Sequence, residues 1–483
     1  MSTNQQAPSS LYTRLDGYFH FTREGSSLRT EALAGITTFL TMAYIIFVQP
    51  TVLSGAMFGQ DMGMDFGAIM TATCIAAAIA TLMMGVYARF PVALAPGMGA
   101  NFFLVLTVIP AAAAAGYGQG WEVGLGIIFV SGALFLVITV AGIREKIMHA
   151  FSPDLKNGIA VGIGLFIAFV GLQNTNLIVK HPGTTVSLNP HFASPDLLIF
   201  FAGLIVTAAL HVRRVRGSIL IGILFSTLLA VILQYVLPLL PDAVAKDPLI
   251  TESMLMTRFQ LADGVISAPP SIWPTLGKMD VIGALSTSML PFIIIFMFID
   301  VFDTMGTLVA VSERAGMVKD NQIPGVDKAF LTDAVGTVSG AALGTSTVTC
   351  FIESASGIEQ GGRTGLTAIF AALGFIVALF FSPIIQMVGS YTPITAPALV
   401  IVGAMMLQNV AHIDFTRYDE SIPAFIIIMG IPLSYSIADG IALGIISYPL
   451  IKLLSGKGRE VNWLMYVLAF LMLLYFPLLR SSY

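Results

Sequence analysis

Charge is what this sequence has least of. Only 10% of its 483 residues are Asp, Glu, Lys or Arg, against about 25% in an ordinary soluble domain. Hydrophobic residues make up 56%, and the mean hydropathy is +0.87. These figures exclude a soluble globular protein and require a polytopic chain embedded in a lipid bilayer. The net charge of −4 is small, and no Lys/Arg-rich run forms a nucleic-acid footprint. Cysteine is nearly missing. Cys74 and Cys350 both fall in apolar stretches and read as reduced packing thiols rather than a disulfide. Residues 1–28 are polar and lack a short apolar core with a small-residue cleavage site. The first apolar run is therefore expected to remain as an uncleaved anchor. Histidine is missing from the middle of every apolar run: His20, His149, His181, His191, His211 and His412 lie at run ends or in loops. That leaves a midplane histidine relay without its residue, and a zinc or iron site almost without ligands. No metal or cofactor is expected.

What is present is a series of runs long enough to span a bilayer at about 20 residues each. They lie near 31–54, 66–88, 91–110, 121–142, 153–173, 195–212 and 217–239, then, after a polar, Pro-rich stretch at 240–279, near 281–312, 326–344, 346–360, 364–388, 393–411, 421–436 and 437–454. A further run, Trp463–Leu479, is left over, and the pattern does not decide whether it crosses. With the N-terminus in the cytoplasm and fourteen alternating spans, 18 Lys and Arg fall inside, Arg144, Lys146 and Lys319 among them. Only Lys180, Lys246, Arg258 and Lys278 fall outside. This bias supports both count and orientation. Seven is odd, so two seven-span halves have opposite topology, the inverted-repeat arrangement of secondary transporters.

Two runs open badly for a helix. The third begins Ala93-Leu-Ala-Pro-Gly-Met-Gly-Ala-Asn101, and the tenth begins Gly344-Thr-Ser-Thr347-Val-Thr-Cys-Phe-Ile-Glu353 before Gly357, Gly361 and Gly362. Exposed backbone at that depth is tolerable only where it lines a cavity. Interrupted segments at matching places in two halves point to a midplane site. A short extended stretch before a half-helix is expected in both.

The eighth run carries Asp300 and Asp303, three residues apart and so on one helix face. One Asp at the centre of a spanning helix costs about 3 kcal/mol on insertion scales, which is tolerable where it faces an internal chamber. Asp303, followed by Thr304, Gly306 and Thr307, reads as a carboxylate that binds solute or takes a coupling proton; a structural polar contact between helices is the bland alternative. Asp300 is divided between function and support. Glu353, where the tenth run turns from extended to helical, is placed to accept two N–H groups of a planar ligand; a helix cap is its alternative. Asn101 both donates and accepts, which suits a neutral heterocycle, or caps the third helix. Phe102 and Phe103 could stack on a base but are commonly packing residues, and Thr347 joins the candidates for substrate contact. Asp333 reads as structural, Asp439 as a helix cap, and Arg363 as a cytoplasmic turn.

The motifs Gly35-Ile-Thr-Thr-Phe-Leu-Thr-Met-Ala-Tyr, Ala95-Pro-Gly-Met-Gly-Ala-Asn-Phe-Phe, Phe302-Asp-Thr-Met-Gly-Thr-Leu, Ile352-Glu-Ser-Ala-Ser-Gly, Gly361-Gly-Arg-Thr-Gly-Leu-Thr-Ala and Ser436-Ile-Ala-Asp-Gly-Ile-Ala-Leu-Gly resemble those of the AzgA-like purine permeases. These are adenine, guanine and hypoxanthine transporters of the nucleobase–cation symporter 2 superfamily. The resemblance covers residues 28–455. It implies an all-α polytopic fold of fourteen transmembrane segments in two inverted repeats of seven, with extended stretches in segments 3 and 10. It implies a cytoplasmic segment at 1–28 and a core domain from 29–142 (segments 1–4) and 280–388 (segments 8–11). A gate domain comes from 153–239 (segments 5–7) and 393–454 (segments 12–14), with an extracytoplasmic loop at 240–279 and a C-terminal segment at 455–483. It further implies proton symport of a purine nucleobase, with Asp303, Glu353 and Asn101 around the substrate and Asp303, Asp300 and Glu353 as candidates for proton coupling. The expected location is the inner membrane of a bacterium, and related members make a homodimer through gate domains an expectation.

Three rival readings stand beside this one, and a purely structural or sensor protein gives no account of paired interrupted spans. An anion exchanger of the same architecture would favour neutral or cationic groups at the centre, where this chain has acids. An enzyme would need a nucleophile–base pair, a metal cluster or a cofactor motif within the runs, and the sequence shows none.

Overall fold

The computed structural model of the chain describes residues 10–142, 151–318 and 323–478. Arg144, Lys146, His149 and Lys319, used above for orientation or in the search for a relay, lie outside the described residues. The first half contains α1 (Ser10–Phe19), α2 (Leu28–Met42), α3 (Ile45–Leu53), α4 (Phe66–Met83), strand β1 (Leu94–Pro96) leading into α5 (Met98–Phe103) and α6 (Ile109–Ala114), α7 (Gly120–Val140), α8 (Pro153–Asn174), a hairpin β2 (Ile178–His181) and β3 (Thr185–Leu188), α9 (Pro195–Val212) and α10 (Ser218–Val236). The second contains α11 (Leu290–Arg314), α12 (Val326–Leu343), β4 (Val348–Cys350) leading into α13 (Ser354–Glu359), α14 (Gly365–Ala378) with α15 (Ser382–Gly389), α16 (Thr392–Met406), α17 (Tyr418–Ser434), α18 (Ile437–Leu454) and α19 (Trp463–Leu478).

Ten helical stretches among the described residues are long and apolar enough to cross a membrane. The other expected runs are shorter, interrupted or more polar: Met98–Ala114, the six-residue α13, α12 with Asp327, Lys328 and Asp333, and the 17-residue α17. Helices begin where a side chain takes an early N–H. Asp65, Ser152, Ser194 and Ser436 each accept from the residue three further on, relieving donors that lipid could not satisfy. Ser436, not Asp439, is thus the cap of α18; Asp439 lies in its first turn.

Both predicted extended stretches are present, and they pair with each other. Leu94, Ala95 and Pro96 face Cys350, Thr349 and Val348 in antiparallel register. Gly97 N–H donates to the Thr347 carbonyl at 2.9 Å and Phe351 N–H to the Ala93 carbonyl at 3.0 Å, extending the ladder at both ends. Hydroxyls and a carboxylate close the outer edges. Thr81 exchanges bonds with Leu94 N–H and C=O, Thr337 Oγ1 accepts from Val348 N–H, and Asp333 accepts from Cys350 N–H. Two interrupted segments thereby satisfy their backbone away from water. The exposed hairpin β2–β3 adds strand outside the apolar runs that the sequence reading did not anticipate. Span 1 is also interrupted, at Ala43–Tyr44 between α2 and α3.

Packing falls into two groups. One joins α2, α4, α7, α11, α12, α13 and α14; the other joins α8, α9, α10, α16, α17 and α18. The polar stretch after α10 runs over both. Near its start, Met254 and Leu255 N–H bond the buried Asp196 carboxylate on α9, and Gln234 on α10 donates to the Phe259 carbonyl. Near its end, Ser267 N–H bonds the Phe380 carbonyl, the Pro270 carbonyl accepts from Thr71, and Gly277 N–H bonds the Ala342 carbonyl. Leu261–Ile266 between them form no hydrogen bond. The leftover run, α19, packs on α18 and buries Met465, Leu468 and Met472.

Candidate functional site

The site is built on the crossing of β1–α5 and β4–α13. A Cβ at Gly97 would lie 2.9 Å from Thr349 Cγ2 and 3.6 Å from both Asp303 Oδ2 and Thr347 Oγ1. The missing side chain lets α11 bring Asp303 up to the strand pair. Asp303 keeps solvent contact although Phe302 and Thr304 on either side are buried. One turn on, Gly306 is exposed with no atom within 4 Å of where a Cβ would stand. An open gap therefore borders this face of α11 at Asp303 and Gly306. Glu353, 8% exposed, stands within electrostatic reach of Asp303, and its Oε1 accepts a hydrogen bond from Tyr44 at 2.8 Å. The two acids singled out in the sequence thus lie near the same crossing, although 50 residues separate them in the chain.

Asp300 is placed differently. It is buried, one oxygen accepts from Thr337 at 2.9 Å, and the other has no partner. Asp333 is equally buried. Its Oδ1 accepts from Thr304 at 2.6 Å and from Cys350 N–H at 3.1 Å, and Thr304 in turn shares a 2.7 Å bond with Thr349. This web fixes α11 and α12 to strand β4. Thr347 is 1% exposed and its hydroxyl has no partner.

Asn101 does not cap its helix; Gly97 occupies that position. Its amide is fully buried and pairs with the Gln49 amide, while Ser346 Oγ donates to its Oδ1. Gln49 also lies 3.0 Å from Thr345 Oγ1 and 3.1 Å from Ser346 Oγ. Asn101 and Gln49 therefore clasp the two interrupted segments to α3. Phe102 is completely buried, edge-on to Phe58 and Phe166, and Phe103 packs on Phe292 and Phe296. Neither ring opens onto the gap beside Asp303.

Several buried polar residues escaped the sequence reading. Tyr44 and Gln49 stood as polar letters in the apolar run Ala43–Leu53 and were legible as such. Glu31, in the first turn of α2, is fully buried and accepts from Arg363, Thr364 and Thr367 N–H and from the Thr367 hydroxyl. It holds the Gly361–Thr364 turn beneath α13, with the Arg363 guanidinium bonded to the Ile358 and Gly362 carbonyls. Nothing in its spacing marked it.

The chain resembles known proteins along nearly its whole length. A permease of Methanocaldococcus jannaschii is 47% identical, over 97% of this chain and 99% of its own. The guanine/hypoxanthine permease PbuG of Bacillus subtilis is 40% identical over 96% of this chain and 99% of its own. The adenine permease AdeP of Escherichia coli is 36% identical over 98% of both chains. Among solved structures, the transmembrane domain of a cyanobacterium bicarbonate transporter BicA superposes with a TM-score of 0.60 at 12% identity, covering 86% of this chain and 97% of that one. At that identity the likeness concerns the fold alone, an inverted-repeat membrane fold. Residues 29–443 match the Permease family, and this chain belongs to it: it is a membrane permease and not an enzyme.

Proposed function

We propose that this permease imports purine nucleobases of the adenine, guanine and hypoxanthine class across the cytoplasmic membrane of a bacterium by proton symport. Its N-terminus lies in the cytoplasm, and fourteen segments form two inverted repeats. The core domain (29–142 and 280–388) shifts against the gate domain (153–239 and 393–454). The single observation that carries this reading is the placing of Asp303 and Glu353 within electrostatic reach of each other, beside an open gap at the crossing of two interrupted segments. In support, the relatives' names specify guanine, hypoxanthine and adenine, and packing concentrates within two groups of helices, as a core moving against a gate requires.

In this mechanism a proton on Asp303 or Asp300 favours the substrate-binding state. Glu353 accepts N–H groups of the purine, and backbone amides near Gly97 and Thr347 meet its ring acceptors. Thr347, Asn101 and Phe102, all buried, are assigned to the packing of the crossing rather than to contact with substrate in this state. A purine is neutral at pH 7 and offers both donors and acceptors, which suits carboxylates beside strand-end amides. An anion would meet two acids, so anion exchange is the weaker reading despite the shared fold.

Uptake of labelled hypoxanthine and adenine into a nucleobase-uptake-deficient cell, with and without a pH gradient, tests the proposal. Saturable uptake that collapses with the gradient is expected. Absence of saturable purine uptake would overturn it, and uptake driven by sodium alone would overturn the proton.

A further inference from the structure

Glu353 precedes a helix of only six residues, Ser354–Glu359, and no side-chain cap steadies that helix's start. A carboxylate on so short a unit needs an external anchor if it is to meet a ligand in one orientation. Span 1 supplies the support. A Cβ at Gly357 would fall 2.1 Å from Thr38 Oγ1 and 2.6 Å from the Ala34 carbonyl, so α13 lies directly on α2. The regular helix of span 1 lapses at Ala43–Tyr44, between α2 and α3. Tyr44, the second residue of that interruption, directs its hydroxyl at Glu353 Oε1, 2.8 Å away. The tyrosine is 1% exposed, so the hydroxyl is offered to the carboxylate and not to solute. A buried phenol needs a partner, but this one is spent on the very acid assigned to substrate.

We propose that Tyr44 is a positioning residue of the purine site: by donating to Glu353 Oε1 it fixes the plane of the carboxylate that receives the purine N–H groups. The inference rests on the reading of Glu353 as a purine ligand. A hydrogen bond to a charged group is strong enough for its loss to be felt as about a tenfold change in affinity. Because Tyr44 does not touch the solute, its removal alters how well the base is held and leaves the core packing intact.

The test uses the full-length permease, in cells for uptake and purified for binding and thermal stability. Tyr44→Phe is expected to raise KM for purine uptake about tenfold, with the maximal rate within about twofold of the parent and melting temperature and membrane abundance kept. In a Glu353→Ala background, which removes both carboxyl oxygens, Tyr44→Phe is expected to change purine affinity of the purified permease by less than about twofold, since its acceptor is gone. A parental KM in Tyr44→Phe overturns the proposal. So does a fall in rate or abundance at unchanged KM, which marks a purely structural tyrosine, and so does a full tenfold effect retained in the Glu353→Ala background. If instead Glu353→Gln alone binds purine like the parent, the reading of Glu353 fails and Tyr44 falls with it. That outcome differs from an impaired Glu353→Gln beside a silent Tyr44→Phe, which overturns Tyr44 alone.

Discussion

Asp333 accepts the backbone N–H of Cys350 at 3.1 Å, a side chain standing in for the next strand of a sheet that has only two. The donor lies beyond the reach of water, so leaving it unpaired costs about 1–3 kcal/mol. Asp333→Ala should lower the thermal stability of the purified permease by a corresponding amount, read by size-exclusion recovery after heating. Asp333→Asn, which keeps an acceptor, should stay near the parent. Equal losses in the two variants would refute the strand-edge role.

Glu353→Gln is expected to raise KM for purines, because a carboxamide accepts at one atom and presents a donor where the base also presents one. Asp303→Asn is expected to retain purine exchange across vesicles while losing accumulation driven by a pH gradient. Concentrative uptake at the parental level by both variants would end this division of roles.

Gly97 and Gly306 make a matched pair. At Gly97 a methyl group would overlap Thr349 Cγ2 at 2.9 Å and reach contact with Asp303 and Thr347 at 3.6 Å, so Gly97→Ala should weaken uptake while the protein still reaches the membrane. At Gly306 there is open space, and Gly306→Ala should remain active. Kinetics normalised to membrane abundance decide it; an active Gly97→Ala would mean that the strand pair yields more easily than its geometry states.

At the C-terminal end of α18, Lys452 is buried and bonded to Asp419, Glu420 and Glu460 at 2.8, 2.8 and 3.0 Å. Lys452→Met should cost about 2 kcal/mol of stability, since it strips charged partners of their hydrogen bonds. The Lys452 and Lys457 hydrogen bonds hold Asp419 well below the usual carboxylate range. A carboxylate depressed on folding contributes stability above its unfolded pKa, about 3.9, and loses it only as pH falls through the lower folded value. The difference in melting temperature between parent and Asp419→Asn should therefore be flat from pH 8 to pH 5. A difference that closed by pH 6 would contradict the pairing.

Much of this was legible because lipid is an unforgiving solvent. Acids and glycines inside apolar runs had to be somewhere special, so Asp303, Glu353 and the breaks at Gly97 and Gly344 announced themselves. Which breaks meet was not legible, because pairing of β1 with β4 joins residues some 250 apart and nothing local encodes it. Asn101 and Phe102 were read toward the ligand because residue type reports what a side chain is able to do, not which way it points. The three-way bonding with Gln49 and Ser346 arises only in tertiary structure. Glu31 and Tyr44 were passed over for a related reason: near a run's end, or among aromatics, a polar group looks affordable until its burial is seen.

The unbonded hexapeptide Leu261–Ile266 joins an anchor on α9 and α10 to another on α4, α12 and the Phe380–Ser382 corner. Seven residue steps between Gln260 and Ser267 reach no more than about 25 Å when fully drawn out. Whatever excursion the two helix groups make at this face, this leash sets its ceiling. Trimming two of the six residues would lower that ceiling by about 7 Å without touching the chamber.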